Sequence, residues 1–153
     1  MTGHLHIHIS IARQTLTLRE GDTAVRSYPV STSRFGPGTE EGSFRTPLGC
    51  FSICEKFGQG EPALTIFRSR HAVGLWSPDD PTESDLVLTR ILRLEGLDAG
   101  NANTYERYIY IHGTNHEDSI GTPASQGCIR MHNDHVVELH DLAPLGTRVT
   151  IEA

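Results

Sequence analysis

A histidine and a cysteine sixteen positions apart, His112 and Cys128, are the two residues of this 153-residue chain best spaced to react together. The thiolate is the reactive form of cysteine, and a neighbouring imidazole creates it by taking the thiol proton. The surrounding sequence fits a built site. Tyr108-Ile109-Tyr110-Ile111 is a β-rich run that would deliver His112 to a strand end, and Gly113 follows at once. Gly121 and Pro123 break the segment that follows. Ser125-Gln126-Gly127-Cys128 puts a residue without a side chain before the thiol, so a substrate carbonyl can come close to the backbone. In an extended run Arg130 points to the same side as Cys128, where a guanidinium binds a substrate carboxylate or braces the loop.

This pairing implies acyl transfer through a thioester. Cys128 attacks, and His112 takes its proton and later gives it to the leaving amine. Backbone N–H groups around Gly127 and Cys128 are the natural oxyanion hole. An acceptor must fix the imidazole tautomer, and Gly113 and Ser125 both stand close enough in sequence. A buried core cysteine is the competing reading, but it needs neither the glycine before it nor the arginine after it. The papain-type nucleophile signature is absent. Nine histidines and three cysteines also raise a zinc alternative, with His112, His116 and Cys128, or His132 and His135, as ligands. No C-x-x-C or H-E-x-x-H occurs and the spacing matches no common zinc pattern, so neither a metal nor another cofactor is expected.

The stretch Ile111-His112-Gly113-Thr114, then Ser125-Gln126-Gly127-Cys128-Ile129-Arg130-Met131-His132-Asn133, resembles the catalytic motif of the L,D-transpeptidase (YkuD-type) family. Many members carry His where this chain has Gln126. The resemblance extends to the opening hairpin and its Pro29-Val30-Ser31-Thr32 segment, the Thr46-Pro47-Leu48-Gly49 turn and the closing Gly146-Thr147-Arg148-Val149-Thr150-Ile151. It implies a mainly β fold, a sandwich or barrel with one short helix after the cysteine, as a single catalytic domain over residues 1–153.

Composition bounds the partners. Hydrophobic content of 37% and charged content of 21% suit a packed soluble domain. A net charge of −6 gives no electrostatic reason to bind nucleic acid or an anionic membrane. No apolar run approaches the roughly 18 residues a membrane span needs. Met1-Thr2-Gly3-His4-Leu5-His6 has no basic or unbroken apolar leader character, so a cytoplasmic protein is expected, or an exported one whose leader was trimmed.

The positioning elements follow from periodicity. His4 to Ile11 alternates, with Leu5, Ile7, Ile9 and Ile11 inward and three histidines on the solvated face. Gln14–Leu18 and Ala24–Val30 make a hairpin around Glu20-Gly21-Asp22. Arg34–Gly42 is a loop and Cys50–Cys54 a strand, its two cysteines read as small packing groups. Residues 57–85 read as loop, punctuated by Gly58, Gly60, Pro62, Gly74, Pro78 and Pro81, with Trp76 as a lid contact or a plug over the core and His71 at the surface. Asp85–Leu97 reads as a strand kinked near Thr89-Arg90, on which Arg90 and Arg93 are candidate carboxylate binders. Ala99–Asn103 is a polar connector. Asn133 is a good N-cap for a helix with Val136, Val137, Leu139 and Leu142 as its apolar stripe. His116, His132, His135 and His140 are expected to face solvent, with His116 and His132 near the rim of the thiol.

The resemblance implies an enzyme of peptidoglycan stem peptides. Thr39–Gly49, Leu88–Leu97 and Tyr108–Thr114 look like small leaderless members that trim recycled muropeptides. The expected activity is therefore a cytoplasmic L,D-carboxypeptidase that removes D-Ala from tetrapeptide stems. An exported L,D-transpeptidase making 3–3 cross-links is the second reading, and an inactive muropeptide-binding protein the third. Carbapenem-type inhibitors are expected to acylate Cys128. Cys128, His112 and the Gly127 backbone form the expected catalytic set, with Arg130, Ser125, Gly113, Arg90 and Trp76 on the substrate.

Overall fold

Alternation of apolar residues with histidines makes β1, Leu5–Ser10, whose Ile7 and Ile9 are fully buried. The computed structural model describes residues 4–80 and 82–153. Met1–Gly3 of the N-terminal reading and the breaker Pro81 lie outside the described residues. β1 pairs antiparallel with β2, Thr15–Glu20, and parallel with β10, Arg148–Glu152. The histidine face of β1 meets β10. His6 Nε2 lies 2.9 Å from Thr150 Oγ1 and His8 Nε2 lies 3.0 Å from Glu152 Oε1.

β2 turns through Gly21, at a left-handed φ of 58°, into β3, Thr23–Ser31. β4, Gly49–Phe57, lies between β10 and β7, Val87–Gly96. β8, Tyr110–Thr114, pairs with β7 and runs parallel to β9, Ile129–Met131. The β4–β7 pairing closes the sheet on itself, so the fold is mainly β and barrel-like. The helix α1, Asn133–Leu142, follows the cysteine and packs on β7 and β8. The larger of two cores fills the interior, with Ile111, Ile129, Met131, Val136 and Leu139 bringing the strands next to the thiol and the helix into it. Full burial of each such side chain contributes roughly 1.5–3 kcal/mol. Among the described residues, no helix is long and apolar enough to cross a membrane.

Several elements differ from the sequence reading. Residues 57–85 contain a hairpin, β5 (Thr65–Arg68) and β6 (His71–Leu75), which hangs on β7. The flanking glycines and prolines hid its short strands. Thr89 sits at a φ of 76°, and the β7–β8 register shifts between Leu88 and Ile91. This bulge falls at the expected kink. There β7 changes partner, from β5 at Val87-Leu88 to β4 at Ile91–Gly96. β8 begins at Tyr110, because Tyr108 has a φ of 56°, and His112 is mid-strand.

Around α1, the side chain of Asn133 does not cap the helix. It bonds Thr114 O and Thr89 Oγ1 and ties α1 to β7 and β8. Glu117, from the loop after β8, accepts the Asn133 N–H at 2.8 Å and supplies the cap. His140 is buried and Leu142 exposed, because the inward face runs through Val136, Leu139, His140 and Ala143. Cys50 is exposed and does not pack, whereas Cys54 is half-buried; both are free thiols.

Candidate active site

The β8–β9 register pairs Ile111 with Ile129 and His112 with Arg130. Ile111, Ile129 and Met131 enter the main core, so Tyr110, His112, Cys128 and Arg130 share the opposite face. Cys128 lies just before β9. Extending the register places its Cα roughly 8 Å from that of His112, one strand across and two residues along. On this face Cys128 packs against a smaller cluster of Phe67, Ile91 and Tyr110. The unforeseen hairpin thus supplies Phe67 beside the nucleophile.

Cys128 is half-buried and lines an open cavity of about 430 Å³ with Phe44, Arg107, Tyr108 and Gln126. Its sulfur donates to the Tyr108 carbonyl and accepts from the Tyr110 N–H, both at 3.3 Å. The imidazole of His112 is not among its hydrogen-bond partners. Burial pushes the thiol pKa up to about 11, against the Tyr110 bond and the positive charges of Arg130 and Arg107. The resting nucleophile is a neutral thiol.

His112 is almost fully buried and its Nδ1 lies 2.5 Å from the Gly113 carbonyl. A carbonyl only accepts, so Nδ1 carries the proton and Nε2 presents its lone pair. Burial lowers the imidazole pKa below its ordinary value, opposed by the Gly113 bond. The base is neutral and poised to take a proton. Gly113, and not Ser125, fixes the tautomer. Gly113 itself is sealed in the packing: a Cβ there would collide with Asn133 Oδ1 and Leu88 O, so its role is space and orientation, not substrate contact.

Ser125 is also structural. Its hydroxyl donates to Cys128 O at 2.6 Å and accepts the Gly127 N–H at 3.3 Å. That second bond occupies the Gly127 donor expected in the oxyanion hole. The N–H of Cys128 itself has no acceptor among the described residues, and it is the donor left for an oxyanion. Gly127 adopts a φ of 121°, a conformation that favours glycine, and its carbonyl accepts from Thr46 Oγ1 at 3.0 Å.

Arg130 is buried on the same face and pairs with Asp85 at 2.8 Å. Arg90 is turned to other work: its guanidinium serves the carbonyls of Glu61 and Thr89 at 2.9 and 2.7 Å. Arg93 is boxed by Tyr105, 3.5 Å from its ring centroid, and by Glu55 at 3.1 Å. Trp76 is half-buried and lines neither the thiol cavity nor the one beside Arg130. His116 borders the Arg130 cavity, while His132 lies 3.3 Å from Glu117.

The sequence reading missed Arg107. It donates to the carbonyls of Gly38 and Arg45, at 3.3 and 2.6 Å, and its charge acts on the Cys128 sulfur. Its position three residues before the strand gave no pattern signal; only the folded 38–46 loop reveals it.

Comparison with known proteins agrees with this geometry. The family model of the L,D-transpeptidase catalytic domain (YkuD) matches residues 4–151. YqjB of Bacillus subtilis (strain 168), named for the L,D-transpeptidases, is 42% identical over 106 residues, 69% of this chain and 51% of that protein. YkuD of the same organism, named likewise, is 32% identical over 146 residues, 95% of this chain and 65% of that protein. The chain therefore spans between half and two thirds of these relatives. L,D-transpeptidase 3 from Mycobacterium tuberculosis, solved in complex with a faropenem-derived adduct, has the same fold, with a TM-score of 0.63 at 18% identity over 97% of this chain and 60% of that one. This chain belongs to the L,D-transpeptidase catalytic domain family.

Proposed function

We propose that the protein is a cysteine L,D-carboxypeptidase that removes terminal D-Ala from peptidoglycan tetrapeptide stems, in cytoplasmic murein recycling. One observation carries the chemistry: Cys128 opens onto a cavity on the sheet face that also carries His112, and among the described residues neither the Cys128 N–H nor His112 Nε2 has a hydrogen-bond partner. Rotation about the Cys128 side chain frees the thiol from Tyr108 O and turns it toward the imidazole. His112 takes the proton, sulfur attacks the carbonyl of the third residue, and the oxyanion accepts the Cys128 N–H. Collapse expels D-Ala, whose amine takes the proton from His112. Water, deprotonated by His112, then attacks the thioester, and the thiol is restored with its proton.

The relatives' names support a second reading, transfer to an amine acceptor, which would make 3–3 cross-links outside the cytoplasmic membrane. Both share the acyl-enzyme. A solved L,D-transpeptidase in complex with imipenem, a carbapenem, supports the expectation that carbapenems acylate Cys128.

Mass spectrometry after incubation with purified disaccharide tetrapeptide tests the proposal. Loss of D-Ala alone is expected. Cross-linked dimers, or exchange of D-Ala for other D-amino acids, replace it with transfer. Absence of any product and of carbapenem acylation leaves an inactive muropeptide-binding protein. Cell fractionation tests the cytoplasmic assignment.

A further inference from the structure

Thr89, at the bulge of β7, has a left-handed φ of 76°. A β-branched residue is an outlier there, and it persists only where its surroundings over-determine it. Glycine would adopt the same backbone without strain, but it brings no hydroxyl. Thr89 is fully buried, and its hydroxyl oxygen is used twice. It accepts the Leu64 N–H at 3.0 Å and lies 2.6 Å from Asn133 Oδ1.

The proton directions follow from a single acceptor. Asn133 Nδ2 lies 2.8 Å from the Thr114 carbonyl, which only accepts, so the amide nitrogen belongs there. Oδ1 therefore faces Thr89, and the Thr89 hydroxyl donates to it. The carboxamide fixed in this way rests on Gly113. A Cβ on Gly113 would collide with Asn133 Oδ1 and come within 3.1 Å of Thr89 Cβ. The peptide between Gly113 and Thr114 is thus held at the α-carbon before it and at the carbonyl after it. Its own carbonyl, that of Gly113, accepts from His112 Nδ1.

We propose that Thr89 is a positioning residue for His112. Its strained backbone places a hydroxyl that locks the Asn133 carboxamide, and the carboxamide locks the Gly113 carbonyl against the imidazole. Strain in β7 is in this way exchanged for a single tautomer of the base. The inference rests on His112 being the base of the proposed acyl transfer.

Long-range proton–nitrogen NMR of the histidine rings reads the tautomer without any substrate, and the His112→Gln protein assigns the signal. Wild-type protein is expected to show a neutral ring protonated on Nδ1. Thr89→Val keeps the branching and loses the hydroxyl. Thr89→Gly also loses the hydroxyl, but it suits the left-handed backbone and so keeps the fold if valine does not. In both, the ring is expected to show mixed tautomers, and acylation by a carbapenem should slow roughly ten- to a hundredfold, the effect of a misplaced catalytic group. Thr89→Ser returns the hydroxyl and should restore the tautomer and most of the rate. An unchanged Nδ1–H ring in the valine and glycine variants, with only a lower melting temperature, overturns the proposal and leaves Thr89 a fastener of the helix. A wild-type ring protonated on Nε2 overturns it too. If wild-type protein neither reacts with carbapenem nor releases D-Ala, the proposed function falls, while the tautomer comparison still decides the role of Thr89.

Discussion

The Cys128 thiol donates to the Tyr108 carbonyl, 3.3 Å away, so at rest it is held by the turn that leads into β8 and not by His112. Tyr108 itself adopts a left-handed φ of 56°.

Alkylation kinetics check this. With Cys50→Ser and Cys54→Ser removing the other thiols, the iodoacetamide rate of Cys128 is expected to climb through neutral pH and level off only near the pKa of about 11 that burial imposes. A plateau by pH 8 would show a thiolate–imidazolium pair already formed at rest.

Arg107 is expected to act on catalysis through the loop and through the sulfur. It fastens Arg45 O, and residues 44–46 in turn brace Gly127 through Thr46 Oγ1. Arg107→Gln removes both charge and clamp, and kcat/KM should fall roughly ten- to a hundredfold, the loss of one or two charge-assisted bonds. Arg107→Lys keeps the charge but not the forked contact. The alkylation pH profile should shift upward in the glutamine variant alone, while both variants lower kcat/KM. An unchanged profile in the glutamine variant would reduce Arg107 to a loop fastener.

His140 predicts the acid stability. Its ring is buried with no well-formed hydrogen bond to either nitrogen among the described residues, and burial, with Lys56 and Arg90 nearby and with Asp141 and the Phe57 backbone opposing, lowers its pKa to about 4. The fold therefore favours the neutral ring, while the unfolded chain takes a proton near pH 6.5. Stability is complete above that pH and drains away between about 6.5 and 4, by about 3 kcal/mol at the lower end. Thermal melts of His140→Leu should lose much of the wild-type decline over that range. An identical decline would place the acid sensitivity elsewhere.

How far the sequence disclosed the site depends on the range of each interaction. The motif and the alternation of β1 and β2 are local, and they made legible the pairing of Cys128 with His112 as candidates, the β fold and the helix after Cys128. The kink at Thr89 was visible because the apolar period broke there. Hydrogen-bond allegiances were not visible. Ser125, Gly113 and Arg90 have residue types suited to substrate, yet their polar groups are spent on Cys128 O, His112 Nδ1 and two carbonyls. Glu117 replaced Asn133 as the helix cap because a carboxylate sixteen residues upstream folds back onto it. Only tertiary proximity decides such choices.

That cap links two parts of the molecule. Glu117 sits in the segment between base and nucleophile, and its carboxylate meets the amide end of α1. The segment is thus an anchored strut and not a free flap. Deleting residues from it would strip the helix of its counter-charge and drag Asn133 away from Thr114 and Thr89, so the interval between imidazole and thiol is set by architecture as much as by reactivity.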